Sequence, residues 1–218
     1  MRAGLIIVFV VLTAFCCLLY FRLGLTHEAA TSAPAPKTFA PLSDPPTATA
    51  VLTRCADTYR SLNAYSDTFD LLVSVESQPP FENKFLGSTE FAKSNGLQFI
   101  LDKESGENYY KLRTGANGQN HGGKWNPVAA IILIIPQLLE KDYNDASELG
   151  LSDLELLEGF EQAASRNYTI RANATYGGVV TLIISKDSFL LLRAERLLLE
   201  AGAGLKTLEV AEFHPRNY

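Results

Sequence analysis

The chain has 218 residues, 47% of them hydrophobic and 20% charged, with 19 Lys and Arg against 24 Asp and Glu for a formal charge of −5. That apolar fraction excludes a disordered polymer, and the acidic balance leaves no basic excess to neutralise a nucleic acid. Three cysteines cannot form a secreted disulfide framework, and no group of residues has zinc-ligand spacing.

The N-terminus is the clearest local signal. From Ala3 to Phe21 there is no charged residue, with Arg2 before the run and Arg22 closing it. As a helix rising 1.5 Å per residue this run spans roughly 28 Å, close to the thickness of a bilayer's hydrocarbon core. Residues 1–25 therefore read as a transmembrane anchor or uncleaved signal, with residues 3–21 in the membrane. Secretory cleavage is the alternative, but the nearest small-x-small site, Thr31-Ser32-Ala33, lies far from the apolar run. Cys16 and Cys17 follow Phe15, where lipidation needs a small residue. Arg2 against Arg22 leaves the orientation undetermined by charge.

Residues 26–46 read as a linker: Pro34, Pro36, Pro41, Pro45 and Pro46 are interleaved with Ala, Thr and Ser, a composition that favours extended chain over a core. Residues 47–218 are long enough to bury one core and carry 16 Lys and Arg against 22 Asp and Glu.

This domain opens with a predicted helix, because Val51, Leu52, Cys55, Tyr59 and Leu62 share one face. The period then becomes two: Phe69, Leu71, Val73 and Val75 alternate until Pro79-Pro80. Further extended segments are marked by Phe81, Phe85 and Phe91, by Leu97, Phe99 and Leu101, and by Tyr110 and Leu112. Residues 128–135 are eight consecutive apolar residues, read as a helix that restarts at Pro136. In residues 166–175, Tyr168, Ile170, Ala172 and Ala174 point one way; Gly177-Gly178 turns the chain into residues 179–185. Residues 189–199 and 206–213 complete the meander.

No catalytic, metal or cofactor site is expected. Gly118-Gln-Asn-His-Gly-Gly-Lys124 approaches a phosphate loop, but Trp125 stands where the magnesium-binding hydroxyl is needed, so the segment reads as a turn-rich loop. His121 and His214 lack convergent partners for a metal or a triad. Glu158 and Glu161 would fall on opposite faces of a strand, which suits a solvated surface. Asn167-Tyr-Thr and Asn173-Ala-Thr match glycosylation sequons, yet strand alternation already accounts for both as outward positions. Cys55 reads as a buried structural thiol.

The order of elements resembles the bacterial superfamily of periplasmic lipoprotein carriers, LolA and LolB, with their uncharacterised relatives and the envelope-stress regulator RseB. The resemblance rests on Tyr65-Ser-Asp67 entering the first strand, Ile135-Pro-Gln-Leu-Leu139, Leu157-Glu-Gly-Phe-Glu161, Asn167-Tyr-Thr-Ile170 and, most specifically, the run TLIISKDSFLLLR from Thr181 to Arg193. It implies an α+β fold, a curved antiparallel β-sheet forming an unclosed half-barrel with helices in its concave face, here preceded by the N-terminal transmembrane helix read from the apolar run. It also implies an extracytoplasmic, non-enzymatic binding protein of the bacterial envelope, anchored in the inner membrane with the domain in the periplasm, or secreted there if cleaved. Its partners would be acyl chains of a lipid or lipoprotein, with an envelope protein as the alternative and no nucleic acid. The candidate cavity lining is Phe69, Val73, Phe85, Phe99, Ile131, Ile132, Ile135, Tyr168, Ile170, Leu182 and Ile184. The same side chains could instead interlock as a solid core.

Overall fold

A computed structural model describes residue 42 and residues 45–77, 79–103, 108–113, 130–140, 143–157, 166–199 and 205–218. The expected membrane anchor, most of the linker and the glycine-rich loop lie outside these residues. Among the described residues no helix is long and apolar enough to cross a membrane.

The first described element is helix α1, Ala48–Ser61. Thr47 starts it by accepting a hydrogen bond from the Ala50 amide, 3.1 Å, onto its side-chain oxygen. Ala48, Val51, Leu52, Cys55, Ala56 and Tyr59 are buried, a stripe at three- and four-residue spacing. Burying a side chain such as Leu52 contributes about 1.5–3 kcal/mol, so this face attaches the helix to the sheet more firmly than its helix propensity would.

Among the described residues nine antiparallel strands follow: β1 (Ala64–Val75), β2 (Phe81–Ala92), β3 (Gly96–Lys103), β4 (Asn108–Arg113), β5 (Leu151–Leu156), β6 (Asn167–Ala174), β7 (Val179–Ser185), β8 (Leu191–Leu199) and β9 (Lys206–Asn217). Their spatial order is β4-β3-β2-β1-β9-β8-β7-β6-β5. Every neighbour is a sequence neighbour except the central pair β1–β9, so two meanders are joined along one seam. The sheet does not close, and β4 and β5 end it among the described residues. This is the expected unclosed half-barrel.

Between β4 and β5 a 3-10 turn, Ala130–Leu133, runs into helix α2, Ile134–Glu140. The predicted helix restart at Pro136 is corrected here. The change of winding comes at Ile134, and Pro136 is the third residue of α2, where a missing N–H costs nothing because first-turn amides have no intrahelical acceptor. A second 3-10 turn, Ala146–Leu149, capped by Asp145 and ended by Gly150 at φ 69°, and strand β5 were not foreseen. The predicted strand over residues 189–199 starts two residues later, because Phe189 takes φ 55° and belongs to the turn.

One sheet face carries the core. Along β1, Tyr65, Asp67, Phe69, Leu71 and Val73 are buried while the residues between them are not. The same alternation continues through Ile170, Ala172 and Ala174 on β6 and Val180, Leu182 and Ile184 on β7. Helix α2 meets α1 and β3, and the Ala130–Leu133 turn meets β8 and β9, so the helical pieces cover that face. The other face is solvated and crossed by ion pairs, including Arg193–Glu212 at 2.8 Å and Lys206–Glu76 at 2.8 Å. Exposed pairs of this kind contribute about 0–1 kcal/mol each.

Candidate functional site

The eleven residues proposed from sequence as cavity lining are gathered on the covered face. Ten are buried: Phe69, Val73, Phe85 and Phe99 from the first meander, Ile131, Ile132 and Ile135 from the helical insertion, and Ile170, Leu182 and Ile184 from the second. Tyr168 is half-buried at the rim and packs against them. Phe69 stacks on Phe99 with ring centroids 5.3 Å apart and leans on Phe213 at 5.8 Å. Exposure of the ten lies between 0% and 5%. Side chains this inaccessible are in contact with protein on nearly every side.

Tyr168 sits in a four-layer stack at one end of the sheet. Arg54 of α1 lies 5.7 Å over the Phe189 ring, Phe189 stacks on Tyr168 at 5.9 Å, and Lys186 lies 5.3 Å over Tyr168. The stack ties α1 to the β7–β8 turn and holds Phe189 in a backbone region that bulky residues rarely adopt. Nearby, the Tyr59 hydroxyl accepts a hydrogen bond from the Leu191 amide, 3.2 Å, at the start of β8.

Among the described residues three charged side chains, Asp67, Arg196 and Glu209, are buried within the apolar face, and only Asp67 stands in a motif quoted from the sequence, at the end of Tyr65-Ser-Asp67. Asp67 is 2% exposed. Its carboxyl accepts from the Tyr65 hydroxyl at 2.8 Å and from the Thr89 amide at 3.0 Å. Burial pushes this carboxyl above its ordinary range, against the pull of the bonds from Thr89 and Tyr65. Glu209 accepts from Arg196 through both oxygens, at 2.8 and 2.5 Å. Burial raises Glu209 as well, outweighing the guanidinium. This pair lies in one cross-strand row between Val73 and Val180, and Arg196 also lies 5.0 Å over the Tyr176 ring.

Counting in steps of two would have found all four residues. Phe69 inward puts Asp67 and Tyr65 inward; Ala194 and Ala211 inward put Arg196 and Glu209 inward.

Cys55 is a free, buried thiol whose ionisation burial opposes. His214 faces outward on β9, 2.9 Å from Asp70. His121, Glu158 and Glu161 lie outside the described residues. Among the described residues no cluster could hold a metal ion. Asn173 is exposed and donates to Asp153 at 2.9 Å.

An open cleft of about 600 Å³ lies at the end of β1, β2 and β3. Its floor comes from three small residues in register: Ala64 faces Ala92, which faces Gly96. The next row along the strands is polar, with Ser66 facing Asn217 and Glu90, and Glu90 facing Gln98. Asn95 of the β2–β3 turn also lines the cleft. Ser66, Glu90 and Gln98 alternate with the buried Tyr65, Thr89 and Leu97, so the polar row stands on the solvated face.

No family model matches the chain, and no curated protein matches it. Among solved structures it is similar to the Pseudomonas aeruginosa MucA/MucB complex, at 16% identity over 76% of this chain and 55% of that one, with a TM-score of 0.41. It is also similar to a LolA superfamily protein from Nitrosomonas europaea, at 10% identity over 79% and 94% of the chains, TM-score 0.29. A third is a putative outer membrane lipoprotein-sorting protein domain from Vibrio parahaemolyticus, at 8% identity over 76% and 90%, TM-score 0.36. The chain spans about half the length of the MucB chain it matches.

Proposed function

We propose that the chain is a non-enzymatic protein of the bacterial envelope: residues 3–21 hold it at the inner membrane, residues 26–46 act as a linker, and residues 47–218 bind an envelope protein partner on a half-barrel scaffold. The observation that supports this reading is the filled concave face. Ten of the eleven candidate lining residues are between 0% and 5% exposed. Binding an acyl chain there requires the Ala130–Leu133 turn and α2 to leave, exposing Ile131, Ile135 and Leu138 at about 1.5–3 kcal/mol each unless the ligand replaces them. Recognition through the solvated surface requires no such rearrangement.

The acyl-chain reading keeps one specific support: the surface that α2 buries is aliphatic throughout, from Ile134 and Ile135 to Leu138 and Leu139. An acyl chain would meet the same chemistry if the helix moved aside. Native mass spectrometry of residues 47–218, with organic extraction, separates the two readings. A bare protein mass that takes up no added lipid or acylated peptide, with a defined protein captured by cross-linking in the envelope, is the expected result. Discrete extractable acyl masses would replace the partner reading with the carrier one.

A further inference from the structure

The cleft across β1, β2 and β3 takes no part in that reading. We infer that it is a binding site for a short neutral saccharide. Its described polar lining consists of the carboxamides of Asn95, Gln98 and Asn217, the Ser66 hydroxyl and the Glu90 carboxylate. Carboxamides donate and accept at once, and a carboxylate accepts two hydrogen bonds side by side. Vicinal hydroxyls of a sugar ring, each both donor and acceptor, complement such a set.

Other ligand classes fit worse. None of the described lining side chains is cationic and Glu90 is acidic, so the described lining offers an anion no counter-charge, although Arg113 is the register partner of Gln98 on β4 and makes phosphate the control that matters most. An apolar ligand would strip water from the polar row without replacing its bonds. An extended peptide binds sheets by adding to an edge, whereas β2 is paired on both sides and only Ala64 and Tyr65 of β1 lie beyond the last β9 pair, an edge too short to seat a strand. Ligand recognition here falls mainly to side chains.

The depth comes from residue size. Ala64, Ala92 and Gly96 sit side by side on three neighbouring strands, and larger side chains at these positions would fill the cleft. Its volume of about 600 Å³ lies within the usual range for small-ligand sites. Asn217 already donates to Ser66 at 3.3 Å, which orients the polar row before any ligand arrives.

The test is calorimetric titration of the full chain with maltotriose, cellotriose and chitotriose, alongside inorganic phosphate and an uncharged extended peptide. At least one saccharide should bind with a Kd below about 1 mM. Gln98→Ala should weaken that binding about tenfold by removing bidentate hydrogen bonding. Ala92→Leu should abolish it by filling the floor. Thermal melts check folding, and Gln98→Ala carries the test if Ala92→Leu fails to fold. No saccharide uptake, binding indifferent to Gln98→Ala, or preference for phosphate or peptide would each overturn the assignment. A chain that takes up no saccharide but still captures its envelope partner overturns this site alone, whereas a preference for peptide would assign the cleft to the partner reading instead.

Discussion

The tip of the Phe69 ring occupies the space over Gly87, its register partner on the neighbouring strand: a β-carbon at Gly87 would stand 2.0 Å from Phe69 Cζ. The absent side chain is what lets the ring cross β2 and stack on Phe99 of β3. Gly87→Ala should therefore destabilise the domain by about 1–3 kcal/mol through overpacking. Thermal denaturation should record a fall of about 2–4 °C per kcal/mol. In a Phe69→Ala background, itself costing about 3–5 kcal/mol, the added alanine should be nearly free. Equal costs in both backgrounds would remove the ring from the explanation.

Arg196 and Glu209 give a second coupled pair. Arg196→Met leaves a buried carboxylate without its partner and should cost about 3–5 kcal/mol. Glu209→Leu should be as harmful, since it strands the guanidinium. The double variant should recover most of the loss, because an aliphatic pair fits the row between Val73 and Val180. Urea melts of the four proteins form the cycle, and additive losses would show that the pair acts through separate contacts.

Asp67 predicts a pH dependence. Its folded carboxyl holds its proton to higher pH than the unfolded one does, because burial penalises the charge. In that interval the native state binds more protons, so stability from this group is present at low pH and is lost as pH rises through the folded value. Asp67→Asn removes the titration while keeping an oxygen for the Thr89 amide and a donor toward the Tyr65 hydroxyl. The variant should gain relative to the parent as pH rises from about 3.8. Paired urea melts between pH 3.5 and 7, about the span over which a raised carboxyl titrates, measure the difference; a pH-independent difference would contradict the assignment.

Tyr59→Phe tests how the first helix is fastened. It removes the acceptor of the Leu191 amide and leaves a buried donor unpaired, at a cost of about 1–3 kcal/mol. Hydrogen exchange at Leu191 should accelerate more than at Ile170, which lies in an undisturbed ladder. Uniform acceleration would indicate global destabilisation instead.

Alternation made most of this fold legible. Phe69, Leu71 and Val73 on β1, and Ile170, Ala172 and Ala174 on β6, declared both the strands and their buried faces. The apolar run ending at Pro136 announced a helical cover without saying where its winding would change, since proline is compatible with any position in a first turn. Strand β5 escaped because its exposed Ser152, Asp153 and Glu155 interrupt the pattern, with Asp153 at φ 52° beside a register shift. The candidate lining falls on the buried face of the sheet, but hydrophobicity states only that a side chain leaves water. Whether it meets protein or ligand depends on how α2 packs from the far side. The cleft left no apolar signature because its small and polar rows come from four separate strands.

The seam between β1 and β9 also sets a schedule for the chain. Asp70 meets His214 across 144 residues of sequence, while every other neighbouring pair of strands in the sheet is a consecutive pair along the chain. Each meander can form early, but β1 keeps one unpaired edge until β9 arrives, an exposed template for other chains. A cut or stall before residue 206 would leave two half-sheets without their junction. Such a product would be a target for proteolysis or aggregation rather than a weakened version of the same protein.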